Sequence, residues 1–479
     1  MIIKYRPLLG VLVAAIIITS CNNRNRNREI TEQYFNTIKR EGDNAKLAFF
    51  FTQMPKGGDL HHHYSGALYV ETYLELAKSG KLRVNAKTFM FDNDGISIDS
   101  LEKNTALYRG LLQEWSDADY SNNFHLQGPP DLHFFHTFPY FIKIASDNCR
   151  AGLAEIKEEA KKENVQYIET MLNFPQVAVQ CRQSLIDSLV SYQNKQDTTR
   201  LYQIFSMLAQ SVKSEPSYDK TIADYLDSLH SYHAGIDDSD FTMRFQAYGL
   251  RTLPPDHVFA MLYACFDAAA RDKSSLLVGV NIVAPENDYV SMHDYWLHMQ
   301  MFRFLKRRFT TVKTALHAGE LCMGMVKPQD LTYHIHDAVF IANANRIGHG
   351  VDMPYETEAP EILKRMKGDS IAVEINLSSN EFILGVKGTD HPINLYNDAG
   401  VPVVISTDDA GVSRNNLTSQ YVLLASRYHF TYSQIKSFVY NSIEYSFLKK
   451  SEKAALEEKL NRRFDVFEAK IASEYCNWK

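Results

Sequence analysis

Apolar runs that alternate with helical patterns constrain the fold of this chain more than any other feature of its sequence. Seven such runs begin at Val165, Leu201, Leu276, Thr311, Asn345, Ile371 and Val401. Several are almost continuously apolar, which is typical of parallel strands buried on both faces. Helical patterns separate most of them, for example over residues 152–163 and 256–270. With one further strand leading into His61, the pattern predicts eight βα units and hence a TIM-type (β/α)8 barrel.

The barrel is expected to span residues 54–448 and to carry insertions. Residues 81–130 follow the first strand and are too long for a plain βα connection. Residues 182–200 and 214–239 flank the predicted third strand, 201–210, and are interpreted as insertions as well. Helices are expected on either side of the barrel, over residues 30–53 and 449–479.

The first 21 residues have the pattern of an export signal. Lys4 and Arg6 precede an apolar stretch at 8–18, which is shorter than a comfortable membrane span. Small residues then lead to Cys21, an arrangement that resembles the lipobox of a bacterial lipoprotein. We therefore expect cleavage before Cys21, a lipid anchor on it, a polar tether at 22–29 and a location in the bacterial cell envelope. A plain signal peptide and an uncleaved anchor are the alternatives.

The charge balance and the cysteines exclude two classes of protein. Lysine and arginine number 51 against 57 acidic residues, giving a net charge of −6, and no long basic stripe is present. A nucleic acid is therefore not expected as partner, and a small-molecule substrate is the simpler interpretation. Five cysteines remain after Cys21, an odd number without CxxC spacing, so they do not form a disulfide framework, and a single bridge among them stays open.

Three consecutive histidines open the predicted barrel. Because alternate residues of a strand point to the same side, His61 and His63 project together and His62 points away. His61 and His63 are therefore able to chelate one metal ion. Two other histidine pairs are expected to be ordinary polar residues, one at 334 and 336 on a predicted helix and one at 230 and 233 in an insertion.

Polar side chains also end three later strands. They are His317 in "LHAGE", His349 in "IGHG", and Asp408 and Asp409 in "STDD". Such residues cluster at the carboxyl end of a barrel, where catalytic groups lie. Taken singly, each has an ordinary explanation, such as a core histidine or a helix cap. Together, three imidazoles and a carboxylate suit a zinc ion and leave a position for water.

In this order, "LHHH", "HAGE", "RIGHG", "SSN" and "STDDAG" resemble the adenosine deaminase family of metal-dependent amidohydrolases. The resemblance covers roughly residues 54–448. The segment "MPKGG" before the histidines resembles the secreted branch, the adenosine-deaminase-related growth factors. The resemblance implies hydrolysis of a C–N bond of a cyclic amidine, and it implies a homodimer through the N-terminal helix as one arrangement.

The resemblance also implies a role for individual residues. One zinc ion per chain would be bound by His61, His63, His317 and Asp408. His349 would orient water and help to deprotonate it, and a protonated Glu320 would donate to N1 of the purine. Asp409 would contact N7, and Gly66 would allow close approach of the ligand.

Two positions depart from the family pattern. Ser65 stands where an acidic residue often contacts the ribose, and Ala284 or Pro285 stands where a glycine approaches N3. The backbone N–H of Ala284 is able to replace that of glycine, whereas Pro285 has none. Aromatic residues of the first insertion and the helix after it are either a pocket wall or core, namely Trp115, Phe134, Phe135 and Phe138.

We therefore expect an exported, zinc-dependent deaminase of adenosine and 2′-deoxyadenosine that serves nucleoside salvage. The first alternative keeps the chemistry and changes the aminopurine to adenine, AMP or a modified adenosine. The second is an inactive surface module on the same barrel. A deaminase with H-x-E and P-C-x-x-C is excluded, and an H-E-x-x-H protease is disfavoured, because these motifs are absent from the sequence.

Overall fold

The computed structural model describes residues 8–179 and 183–478, apart from the side chains of residues 8–22, 123–124 and 476–478. The strands are β1 (Gly57–His63), β2 (Arg83–Val84), β3 (Ile96–Ser97), β4 (Val165–Met171), β5 (Thr242–Leu250), β6 (Leu277–Val283), β7 (Lys313–Ala318), β8 (Arg346–His349), β9 (Ala372–Ile375) and β10 (Val403–Ile405).

Helices surround these strands. In the first half they are α1 (Leu8–Glu41), α2 (Asn44–Gln53), α3 (Tyr64–Ala67), α4 (Val70–Ser79), α5 (Ile98–Glu102), α6 (Thr105–Trp115), α7 (Tyr120–Asn123), α8 (Pro130–His136), α9 (Phe138–Asp147), α10 (Cys149–Lys162), α11 (Gln183–Asn194), α12 (Thr198–Ser214) and α13 (Tyr218–His233). In the second half they are α14 (Pro255–Arg271), α15 (Tyr289–His293), α16 (Tyr295–Arg308), α17 (His334–His336), α18 (Ala359–Gly368), α19 (Leu377–Leu384), α20 (Ile393–Ala399), α21 (Leu417–Arg427), α22 (Tyr432–Glu444) and α23 (Lys450–Trp478).

Eight strands form one parallel sheet in the order β1, β4, β5, β6, β7, β8, β9, β10. The sheet closes where the segment after β10 meets β1: the N–H of Asp408 donates to the carbonyl of His61, and the N–H of His63 donates to the carbonyl of Asp408. The architecture is therefore the predicted (β/α)8 barrel. The closing contacts also bring two of the predicted site segments together.

The position predicted for the third strand is wrong. Residues 201–210 lie in α12, whose buried residues Leu201, Phe205, Leu208 and Val212 recur every three or four positions and face the core as one helical stripe. The third barrel strand is β5 instead. The two intervals interpreted as insertions on either side of residues 201–210 contain α11 and α13.

The insertion after the first strand, residues 81–130, contains the small antiparallel pair β2 and β3 and the helices α5 to α7. Trp115 is fully buried there, and its Nε1 donates to the carbonyl of Phe89 at 3.2 Å. Its ring packs against Phe91 and Tyr140. Trp115 is thus a core residue of the insertion.

The N-terminal helix α1 includes residues 22–29, which were expected to be a tether. Farther along α1, Phe35 and Ile38 are buried, and Thr31 Oγ1 donates to the carbonyl of Glu468 in α23 at 3.4 Å. The apolar face of α1 thus packs within its own chain, and a homodimer through this helix stays a prediction. Within the described residues, no helix is long and apolar enough to cross a membrane.

The described part of the chain does not include residues 1–7 or Cys181. It also does not include the side chains of Cys21 and Cys476. The signal sequence and the lipid anchor therefore stay predictions. The cysteines with described side chains, Cys149, Cys265 and Cys322, are free thiols.

Candidate active site

Four donor groups converge at the carboxyl end of the barrel. Nε2 of His63 lies 3.2 Å from Nε2 of His317. Asp408 Oδ1 lies 3.3 Å from Nε2 of His63 and 3.5 Å from Nε2 of His61. The two histidines of β1 project together because they alternate along the strand, while His317 lies in β7 and Asp408 follows β10. The structure thus brings together the four residues predicted as metal ligands.

The hydrogen bonds of these rings fit a zinc ion. His61 Nδ1 lies 2.8 Å from Glu374 Oε2, and His317 Nδ1 lies 3.0 Å from Asn281 Oδ1. Because both partners are acceptors, each ring, when it is neutral as a metal ligand must be, carries its proton on Nδ1 and presents a lone pair on Nε2. Nε2 of His61 is buried without a hydrogen-bond partner in the described chain. Converging imidazole lone pairs and a carboxylate are a donor set of zinc sites.

His349 and Glu320 lie beside this donor set. Nε2 of His349 is 3.9 Å from Asp408 Oδ2 and 3.6 Å from Glu320 Oε1. Burial lowers the pKa of His349 to about 3, so the ring is neutral. Burial and the nearby charge of Asp408 raise the pKa of Glu320 to about 8. Glu320 therefore carries a proton at neutral pH, which its predicted role as a donor requires.

Asp409 and Gly66 are in contact, for a reason that the sequence did not predict. A Cβ built on Gly66 would lie 1.6 Å from Asp409 Oδ1, so only glycine leaves room for this carboxyl. Asp409 is buried, and burial together with Asp408 raises its pKa well above the usual value. Gly66 thus makes space for Asp409, and its role in the close approach of a ligand stays a prediction.

Three non-glycine residues at the carboxyl ends of barrel strands adopt the left-handed backbone conformation. They are Ala284 at φ 84°, His349 at φ 67° and Asp408 at φ 64°. Such residues are uncommon, and they concentrate at functional sites where the surrounding structure holds them. All three line the same cavity.

This cavity has a volume of about 350 Å³ and a polar floor below an apolar wall. Its floor contains His63, His317, Glu320, His349, Asp408 and Asp409. The wall includes Phe134, Phe135 and Phe138. Of the two alternatives that the sequence left open for these residues, pocket wall and core, the structure fits the pocket wall. Ser65 and Ala284, the two departures from the family pattern, also line it.

Several supporting residues were missed by the sequence analysis. Glu374 binds His61, and Arg346 in turn donates to Glu374 and to Glu169. Asn281 accepts from the ring of His317. All four are buried in barrel strands. The sequence did carry one sign of these residues, namely a charged or amide side chain inside an otherwise apolar strand. Such a buried group needs a hydrogen-bond partner.

The other histidine pairs lie away from the donor set. His334 and His336 lie on the short helix α17, and each has a carboxylate partner of its own, Glu286 and Asp337 respectively. His230 and His233 are at the end of α13. Neither pair belongs to a group of potential metal ligands in the described chain.

Comparison with known proteins agrees with this geometry. A profile of the family described as adenosine deaminase matches residues 129–463. Adenosine deaminase of Clostridium perfringens is 24% identical over 405 residues, which cover 83% of this chain and 96% of the relative. N6-Methyl-AMP deaminase of Bos taurus is 32% identical over 157 residues, or 32% of this chain and 42% of the relative. A solved amidohydrolase of Burkholderia ambifaria with bound Zn covers 89% of this chain and 94% of its own, with a TM-score of 0.54 and 19% identity, a likeness of fold.

Proposed function

The chain belongs to the adenosine deaminase family, and from this premise we propose that it hydrolyses adenosine and 2′-deoxyadenosine to inosine and 2′-deoxyinosine with release of ammonia. The observation that carries the proposal is the buried Glu320 carboxyl, 3.6 Å from His349 Nε2 and beside a histidine and aspartate donor set on the floor of one cavity. This pairing of an acid with a metal site is what hydrolytic deamination of an aromatic ring needs.

One zinc ion would be held by His61, His63, His317 and Asp408, and when bound it would supply Lewis-acid activation of water. Glu320 donates its proton to N1 of the purine, so that negative charge does not build on the ring. The oxygen of water bonds to C6 and the C6–N6 bond breaks. One proton of that water ends on the departing ammonia, and the other returns to Glu320 and replaces the proton given to N1. His349 faces Asp408 and Glu320 and orients the water between them.

The lining of the cavity favours a nucleoside over a nucleotide. Among the described residues that line it, none is lysine or arginine. A phosphate dianion bound there would therefore lack a cationic side-chain partner. The relationship to N6-methyl-AMP deaminase keeps a nucleotide as the second candidate.

Purified full-length protein tests the proposal. The ultraviolet absorbance of adenosine is followed with and without a zinc chelator, and 2′-deoxyadenosine, adenine, AMP and N6-methyl-AMP are compared at equal concentration. We expect chelator-sensitive conversion of the two nucleosides at the highest kcat/KM. Faster turnover of AMP or N6-methyl-AMP would overturn the nucleoside assignment, and no turnover of any aminopurine with zinc bound would overturn the enzymatic function.

We further propose that the protein is exported and anchored by lipid at Cys21. The support is the sequence of the first 21 residues. In a bacterial host, Cys21→Ala should move the protein from the membrane fraction to the soluble fraction and abolish incorporation of labelled fatty acid. Unchanged membrane attachment and labelling would contradict the proposal.

A further inference from the structure

We propose that Glu286, together with His334, positions the proton donor Glu320 for catalysis. The inference rests on the proposed deaminase function, because it concerns how the acid of that reaction is placed. Glu286 lies outside the substrate cavity and touches no group that reacts, so it would act only through Glu320.

The carboxylate of Glu286 holds the backbone on which Glu320 stands. Its Oε1 accepts the N–H of Gly319 at 3.0 Å, and its Oε2 accepts the N–H of Glu320 at 2.9 Å. The side chain of Glu286 is completely buried. Two consecutive amides thus bind separate oxygens of one carboxylate, and the direction in which the Glu320 side chain leaves the backbone follows from that contact.

His334 and Arg251 fix the carboxylate from the other side. His334 Nδ1 lies 2.6 Å from Glu286 Oε1, and Arg251 Nη1 lies 3.5 Å from Oε2. The His334 ring stacks on Tyr295 with 3.7 Å between centroids, and the Tyr295 hydroxyl donates to the His334 carbonyl at 2.8 Å. His334 is fully buried and held in one orientation. His334 is the first histidine of the "HIH" segment and is not one of the predicted metal ligands. It instead holds Glu286, which in turn holds the backbone of Glu320.

The same contact joins two loops that border the cavity. Glu286 follows the cavity-lining Ala284 by two residues, and Ala284 has the left-handed backbone noted above. Gly319 is left-handed as well, at φ 75°, and a Cβ there would lie 2.3 Å from Asp352 Oδ1. Both loops are therefore tightly constrained. A shift of the carboxylate would move the Ala284 backbone and Glu320 together.

Glu286→Gln is the first test. Glutamine has one acceptor oxygen and places an NH2 group against one of the two amides, so it cannot hold both. We expect kcat for adenosine to fall by about 10- to 100-fold while KM changes by less than about threefold, because a misplaced acid affects the transition state more than binding. Bound zinc, measured on the same preparation, should equal that of the wild type.

Glu468→Gln is the matched control. Glu468 is also buried, and its Oε1 accepts the Tyr432 hydroxyl at 2.9 Å and Lys436 Nζ at 2.7 Å, but it lies in α23, outside the segments that hold Glu320 and His334. We expect its kcat to remain within about twofold of the wild type. An equal loss in Glu468→Gln and Glu286→Gln would assign the effect to general loosening of the fold and overturn the inference.

Two variants at position 334 separate positioning from folding. His334→Asn keeps an N–H donor for the carboxylate, whereas His334→Leu removes it. We expect His334→Asn to retain at least about a third of wild-type kcat and His334→Leu to lose at least about tenfold. Equal activities of these two variants would overturn the inference. This test does not depend on whether Glu286→Gln folds.

A crystal structure of zinc-loaded Glu286→Gln provides a readout that does not depend on turnover. We expect the Glu320 carboxyl to be displaced from His349 while the metal ligands stay in place. An unmoved Glu320 would overturn the inference even if wild-type protein proved active. Conversely, an inactive wild type with a displaced Glu320 in the variant would count against the proposed function alone.

Discussion

Asn380 donates its side-chain amide to Nδ1 of His349 across 2.9 Å, and this contact determines where the His349 ring carries its proton. The orientation of the amide is set by His391. The ring of His391 accepts the N–H of Ile393 on Nδ1, so its Nε2–H donates to Asn380 Oδ1 at 3.1 Å. The amide NH2 must therefore face His349. Neutral His349 consequently carries its proton on Nε2, the nitrogen that faces Asp408 and Glu320.

His349 is thus a hydrogen-bond donor toward the attacking water, which fits the expected role in orienting the water but not the expected help in deprotonating it. Asn380→Asp should reverse this tautomer. Aspartate accepts from Nδ1–H and leaves a lone pair on Nε2, so we expect kcat for adenosine to fall by about 10- to 100-fold. Asn380→Ala removes the contact without imposing the other tautomer and should lose less. Steady-state kinetics of both variants check this, and equal losses would show that the tautomer does not matter.

Glu320→Gln should separate the proton donor from the metal site. Glutamine keeps the shape of the side chain but cannot donate an acidic proton to the purine ring. We expect kcat to fall by about 10²- to 10⁴-fold with zinc content unchanged. Metal analysis alongside the kinetics checks both parts. Activity near that of the wild type would remove Glu320 from the mechanism.

Glu374→Gln should weaken metal binding without removing a ligand. Glu374 accepts from His61 Nδ1, and loss of its charge makes the ring a poorer ligand. We expect the zinc affinity to fall by about 10- to 100-fold, measured by competition with a chromophoric chelator. His61→Ala serves as the reference for loss of a ligand and should bind more weakly still. Wild-type affinity in Glu374→Gln would mean that His61 does not bind the metal through Nε2.

The barrel was predictable from the sequence because most of its strands are apolar runs followed by polar residues. The exception is instructive. β5 contains Arg244 and Gln246, both buried and both bound to polar partners, so it does not look like a buried strand. α12 contains Tyr, Ile and Phe residues that favour strands, and tertiary packing decided the outcome there.

The site residues were predictable for a related reason, and their partners were not. His317, His349 and Asp408 stand at the ends of apolar runs, where the sequence marks them. Glu286 and Asn380 act through contacts with residues 34 and 31 positions away, respectively. A single sequence does not show such pairings, because they depend on how the strands close into the barrel.

Lys56, in the "MPKGG" segment, should contribute stability and not catalysis. It is fully buried, and its Nζ donates to the carbonyls of Phe51, Met54 and Glu163 at 2.5, 3.2 and 2.6 Å. These carbonyls lie at or just beyond the ends of α2 and α10, so the Lys56 side chain ties both helix ends to the start of β1. Lys56→Met keeps the apolar stem and removes all three hydrogen bonds.

We expect Lys56→Met to lower the free energy of unfolding by about 2–4 kcal/mol, because three carbonyls lose their buried hydrogen-bond donor and water does not replace it. Denaturant unfolding measures this loss. The zinc content and kcat of the folded variant should match the wild type, since Lys56 lies at the beginning of β1 and the metal ligands lie at its end. A variant as stable as the wild type would show that the carbonyls find other donors, and a selective loss of kcat would mean that Lys56 also helps to set the position of His61 and His63.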